Sequence, residues 1–133
     1  MRTSAPAQDT ILISIRPEYV RAILNGTKTC EYRRIVPSKP VSRLLIYETS
    51  PAKHIAGEAE ILDILEFPVE ELWEFTEAQG GLSKAAYMQY FHGRKTGHAI
   101  LLGSVTAYAE PVSLENIGLT RAPQSWMYIK VSG

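Results

Sequence analysis

TILISIRPEYVRAILNGTKTCEYRR, residues 10–34, joins three readable segments with no slack between them. Residues 10–15, TILISI, are β-branched and apolar enough for a buried strand. Pro17 suits the first position of a helix and Glu18 sits favourably in its first turn. Tyr19, Val20, Ile23 and Leu24 then form one apolar stripe, and Asn25-Gly26 stops it. From Thr27 to Arg33 the chain alternates as a strand does, with Thr29, Glu31 and Arg33 on one face and Cys30 and Tyr32 on the other. The cysteine and the glutamate cannot both face the core.

Further along, VPSKPVS (36–42), with two prolines and two serines, reads as a loop, and RLLIYE (43–48) as a strand that delivers the turn TSPAKH. Strand character resumes from Ile55 to about Leu65. Pro68 opens a short helix with Val69, Leu72 and Trp73 at helical spacing. Ser83 is an N-cap for a third helix ending near Phe91, with Ala86, Tyr90 and Phe91 as core contacts. HGRKTG (92–97) breaks that helix, HAILLGSVTAYA (98–109) is a long strand with a bulge or bend at Gly103, and SWMYIKV (125–131) is the last strand. Residues 1–9 read as a flexible N-terminal tail and 10–133 as a single domain. Five or six strands with short helices make an α+β domain, and so many strands in so short a chain curl into a small β-barrel with the helices at its ends.

A chain of 133 residues suits one domain with its own core. No window reaches the roughly eighteen uninterrupted apolar residues of a membrane span, and the first ten residues lack the apolar core of a secretory signal. The expectation is a cytoplasmic protein with no membrane partner. Cys30 is the single cysteine, which excludes an intramolecular disulfide and a multi-cysteine zinc site. His54, His92 and His98 are too scattered to signal a metal site, and no nucleophile elbow or phosphate-cradling glycine loop occurs. No cofactor is indicated; metal assistance and oligomeric state are not legible.

The formal net charge is zero, yet the charges are segregated. Lys28, Arg33, Arg34, Lys39, Arg43 and Lys53 face only Glu31 and Glu48 over residues 28–53, whereas residues 58–77 carry eight acids and no base. A local positive patch can attract phosphates even in a neutral protein, because salt confines each charge's reach to about 10 Å.

The order of strand, Pro-Glu-Tyr helix and then G-x-K-x-x-E-x-R, carried by Gly26, Lys28, Glu31 and Arg33, resembles the ASCH domain family of the PUA-like superfamily. YETSPAKHIAGEAEI, YFHGRKTGHAI and PQSWMYIKV resemble its later segments in the same order, so that the likeness spans about residues 10–131. The resemblance implies a small PUA-like barrel whose cleft borders the helix-to-strand corner and accepts RNA, a nucleotide or a nucleoside. Lys28, Arg33, Arg34 and Lys53 are suited to phosphate contact. Glu31 could hold Arg33 in place, accept a hydrogen bond from a base amino group, or simply form a salt bridge that fixes the corner. Tyr32, Tyr47, Trp126 and Tyr128 offer rings for stacking an unpaired base, or are core residues. Ser50, Gln124 and Ser125 are polar candidates beside the cleft segments, the alternative being strand-end caps.

Members resembling amidohydrolases remove an acetyl group from a modified cytidine. Their catalytic lysine would align with Lys28, but their nucleophilic threonine would fall on Glu31, and a carboxylate cannot replace an activated hydroxyl. Another branch cuts RNA with a tyrosine, a lysine and a serine, for which Tyr47, Lys53 and Ser125 are the counterparts by segment. The expectation is an RNA- or nucleotide-binding protein that recognises single-stranded RNA in a basic cleft, with ribonuclease activity as its candidate chemistry. The alternatives are the amidohydrolase, or a non-catalytic regulatory domain that uses the acidic helix near Trp73 for a protein partner.

Overall fold

The computed structural model describes residues 9–130, so most of the expected N-terminal tail and the last three residues lie outside it. Six strands, β1 (Thr10–Ile15), β2 (Cys30–Arg33), β3 (Arg43–Glu48), β4 (His54–Pro68), β5 (Thr96–Val112) and β6 (Trp126–Ile129), form one sheet in the order β2-β5-β4-β3-β1-β6. The helices are α1 (Pro17–Leu24), α2 (Val69–Thr76) and α3 (Lys84–Tyr90), with a 3-10 turn at Glu115–Ile117. None of these helices is long and apolar enough to cross a membrane.

The α+β class agrees with the sequence pattern, but the ladder is not closed. β2 and β6 are its two edges, and no backbone pairing among the described residues joins them. Side chains span the gap instead: Arg33 at the end of β2 reaches Ser14 and Ser125, and the Trp126 indole donates to the Ile35 carbonyl at 2.9 Å. A sheet edge is thus covered without a sixth ladder.

The pairing explains the sequence texture. β1 lies between β3, which it pairs in parallel from Thr10↔Arg43 to Ile15↔Glu48, and antiparallel β6. Ile11, Ile13 and Ile15 enter one core with Leu44, Ile46, Ile61, Val20 and Ile23, while Leu12 enters another with Leu45, Tyr47 and Ile55. A strand covered on both faces needs an unbroken apolar run, and TILISI supplies it. Each such side chain contributes about 1.5–3 kcal/mol of burial. The bend expected at Gly103 is present: between Ala59↔Val105 and Ile61↔Leu102 the register shifts, and a Cβ on Gly103 would run into Glu60.

α3 differs in detail from its reading. Ser83 does cap it, accepting from the Ala86 N–H at 3.1 Å, but the buried residues are Tyr87 and Phe91, with Ala86 exposed and Tyr90 half-buried. Tyr87 wins the inward position because its hydroxyl finds the Val69 carbonyl at 2.7 Å, so that the ring is buried with its polar end satisfied.

Candidate functional site

The corner between α1 and β2 forms the floor of a cleft of about 720 Å³. Its walls are the start of α1, the last residues of β1, one flank of α3 and the loop before β6. Glycine turns position the floor. Gly26 leaves α1 at φ 86°, and Thr27 and Lys28 both donate their N–H to the Ala22 carbonyl at 3.0 Å. Opposite, the Gln79 carbonyl accepts from the N–H groups of Thr29 and Cys30, laying the Gly80-Gly81 loop over β2. A Cβ on Gly80 would collide with the Tyr32 ring, and one on Gly81 would sit 3.2 Å from the Lys28 stem.

Beneath that loop runs a chain of buried and half-buried charges. Lys28 is 2% exposed; its ammonium donates to the Gly80 carbonyl and stands 3.4 Å from Glu31 Oε1. It also lies 5.3 Å from the Tyr19 ring centre and 5.6 Å from that of Tyr32, so aromatic faces replace part of its hydration. Glu31 Oε2 accepts from Arg33 Nε at 3.1 Å and Nη2 at 2.6 Å. Arg33 Nη2 also donates to the Ser14 carbonyl at 2.8 Å, and Nη1 to Ser125 Oγ at 3.1 Å and, more weakly, to the Ser125 carbonyl at 3.5 Å. A guanidinium has five N–H donors. All five of Arg33 point at protein, which makes it the strut that binds β2, β1 and the β6 loop. Its fork is not free for a phosphate.

The free cations stand at the rim. Arg16 and Arg34 both line the cleft, and neither enters an ion pair among the described residues. Arg34, an exposed residue, stacks on Tyr90 with 4.5 Å to the ring centre and spends Nε on the Tyr90 carbonyl at 2.9 Å.

Of the residues singled out in the sequence, Lys28, Glu31, Tyr32, Arg33, Arg34, Gln124 and Ser125 all line this cleft. Tyr47, Ser50, Lys53 and Tyr128 are not among its lining. Tyr47 is buried with Leu12, Leu45 and Ile55. Ser50 and Lys53 are exposed on the turn after Thr49, which is itself a lining residue. The Tyr128 hydroxyl accepts from the N–H groups of Ser38 and Lys39, both at 3.1 Å; these bonds hold its phenol below the usual range and brace the 36–42 loop. Tyr32 packs against Tyr87 and Phe91, its hydroxyl 2.6 Å from Thr76 Oγ1, and burial holds its phenol far above the ordinary range. Sequence reasoning passed over Arg16, Tyr19, Tyr90 and the Gly80-Gly81 loop. Only the glycine pair carried a signal, that of a close backbone approach. Among the described residues no group of three or more His, Cys, Asp or Glu could hold a metal ion.

The fold is shared with solved structures of the ASCH protein from Zymomonas mobilis. One matches with a TM-score of 0.84 at 31% identity, covering 92% of this chain and 88% of that one. A serine-to-alanine variant of the same protein matches with a TM-score of 0.85 at 30% identity over 95% and 92% of the two chains. The ASCH domain model matches residues 13–113, and the chain belongs to the ASCH domain family. A relative from Zymomonas mobilis subsp. mobilis bearing the name "ASCH domain-containing ribonuclease" is 33% identical, across 96% of this chain and 89% of its own length. Other relatives are much longer: the chain spans 16% of the Ureaplasma parvum ATP synthase subunit alpha that it matches at 28% identity, and 40% of the large ribosomal subunit protein uL22 of that species at 27%.

Proposed function

We propose that this protein binds single-stranded RNA in the α1–β2 cleft and cuts it, working in the cytoplasm. The observation that carries the reading is the floor itself, a buried lysine and a half-buried arginine flanking one carboxylate in a cleft whose rim holds arginines outside any ion pair among the described residues. The floor and rim cations outnumber the acid, so the cleft favours an anion. Arg16 and Arg34 take phosphates. The Tyr19 ring beside Lys28 offers a face for a base, a contact worth about 1–3 kcal/mol that is indifferent to sequence. The ribonuclease name of the 33% identical relative supports the same chemistry.

Cutting requires an acceptor for the 2′-hydroxyl proton, a cation beside the phosphorane, an orienting donor and a proton for the 5′-oxygen that departs as the P–O5′ bond breaks. Glu31 Oε1 is the acceptor, since its partner Oε2 takes both Arg33 bonds. Lys28 is the cation and the acid: two of its three donors meet Gly80 and Glu31, the third N–H protonates the departing 5′-oxygen, and Glu31, which took the 2′-hydroxyl proton 3.4 Å away, restores it. Ser125 Oγ, which accepts from Arg33, keeps its own proton to donate to a phosphate oxygen. The deacetylase alternative fits less well, because Glu31 is tied to two cations where a nucleophilic hydroxyl would be needed.

A second placement of the chemistry, at Tyr47, Lys53 and Ser125, is favoured by one observation. Lys53 holds φ at 55°, a left-handed backbone that a lysine adopts at some cost and that clusters at functional sites. Glu31→Gln and Lys53→Ala, each assayed for retention and shortening of labelled single-stranded RNA, separate the two. Loss of cutting in Glu31→Gln with binding kept, and full cutting by Lys53→Ala, sustains the cleft-floor assignment. The opposite pair moves the chemistry to the turn. Intact RNA that neither protein retains refutes the function.

A further inference from the structure

HGRKTG is the one basic stretch that the cleft chemistry leaves unused, and its placement gives it a use. α3 ends at Tyr90, and the chain turns back at once: the Arg94 N–H bonds the Phe91 carbonyl at 2.9 Å, Gly93 takes φ 82°, and the Lys95 carbonyl accepts from the Val69 N–H at 3.1 Å. Phe91 beneath it is 1% exposed. The turn is therefore fixed to the core at three points, and it presents Arg94 and Lys95 at the surface.

Those two cations continue the rim of the cleft. The Arg34 carbonyl accepts from Arg94 Nη2 and contacts His98 Nδ1, both at 3.2 Å, while the Arg34 side chain lies over Tyr90, a cleft-lining ring. Tyr90, Arg34, Arg94 and Lys95 thus form an unbroken path from the cleft wall outward. Neither Arg94 nor Lys95 enters an ion pair among the described residues. The carboxylate close to this path, Glu66, is 3.8 Å from His98. Arginine and lysine on a fixed turn, not matched by carboxylates and contiguous with a stacked aromatic, are what a polyanion leaving the cleft would meet.

We propose that Arg94 and Lys95 form a second phosphate-binding site, which holds the RNA strand one or more nucleotides beyond the cleft. The site extends the cleft-binding reading and rests on it. RNA enters at Arg16, seats one nucleotide over the Lys28–Glu31–Arg33 floor and leaves across Tyr90 to the turn. Affinity for a longer strand then exceeds affinity for a mononucleotide, with an ionic component that only the longer strand senses.

The test compares wild type with the Arg94→Gln, Lys95→Gln double variant, using a nucleoside monophosphate and a labelled single strand of about ten nucleotides. The variant should bind the monophosphate as wild type does and bind the longer strand more weakly. Its logarithmic salt slope should be shallower by about 0.7 for each lost phosphate contact. An unchanged slope and affinity for the longer strand, with monophosphate binding intact, overturns the second site and leaves the cleft reading standing. If wild type binds neither probe, both fall together.

Discussion

The two faces of β2 bury neighbouring residues to almost the same degree by opposite means. Glu31 is 7% exposed and Tyr32 4%. Glu31 is covered by charge: two cations and the Gly80 loop replace the water it loses. Tyr32 is covered by volume, wedged among Tyr87, Phe91 and Leu72, with a single hydroxyl to satisfy through Thr76. The comparison shows which kind of damage each face tolerates. An ionic face fails when one partner is removed, because a buried charge is stranded; a packed face fails when its shape is violated.

The largest expected effect comes from stranding the charge. Arg33→Leu removes the strut and leaves Glu31 short of a partner, and should lower stability by about 3–5 kcal/mol in chemical denaturation. Arg33→Lys should recover only part of it, since three donors on a flexible stem cannot reach Glu31, Ser14 and Ser125 together. Equal stability of Arg33→Leu and wild type would mean that the gap between β2 and β6 is held by something else.

Next in size is a violation of shape. Gly80→Ala drives a methyl group into the Tyr32 ring and should cost about 1–3 kcal/mol. Because the same loop supplies the carbonyl above Lys28, this variant should also weaken RNA retention. Retention unchanged despite lower stability would uncouple the two faces.

An effect similar in size to that of Gly80→Ala is one of pH, and on the packed side of β2 it comes from groups that burial keeps protonated. Burial pushes the Cys30 thiol up from 9.0 to about 11 and the Tyr87 phenol from 10.0 to about 12. In the folded protein these groups keep their protons at pH values where the unfolded chain has released them. Their contribution is therefore complete below pH 9 and is lost as pH rises through about 11 and then about 12. Each group gives a slope of at most about 1.4 kcal/mol per pH unit. Cys30→Ala should flatten the first part of that decline in denaturation curves taken across the alkaline range, and an unaltered curve would show that the thiol is not the group being titrated.

Much of the molecule was legible before its structure. Local rules located the strand, helix and strand of residues 10–34 and the opposite orientation of Cys30 and Glu31, because periodicity of two is a property of the chain itself. Lys28, Glu31, Arg33, Arg34, Gln124 and Ser125 were likewise named in advance and stand together in the cleft. What periodicity could not convey was the partner of each face. Tyr47 reads from sequence as readily toward the cleft as away from it, and its position with Leu12 and Ile55 follows from the parallel pairing of β1 with β3. Tyr19 reads as one more apolar stripe residue, and only the fold sets its ring beside Lys28.

The sequence by itself determined the order and type of the elements, the segregation of charge and the family, since these depend on residues close together in the chain. The tertiary structure alone decided that the sheet stays open and that Arg33 serves as a strut, with the free arginines at the rim. The reason is that a guanidinium's role depends on which acceptors come within reach. Ser14 and Ser125, 19 and 92 residues from Arg33, are brought there only by the curl of the sheet.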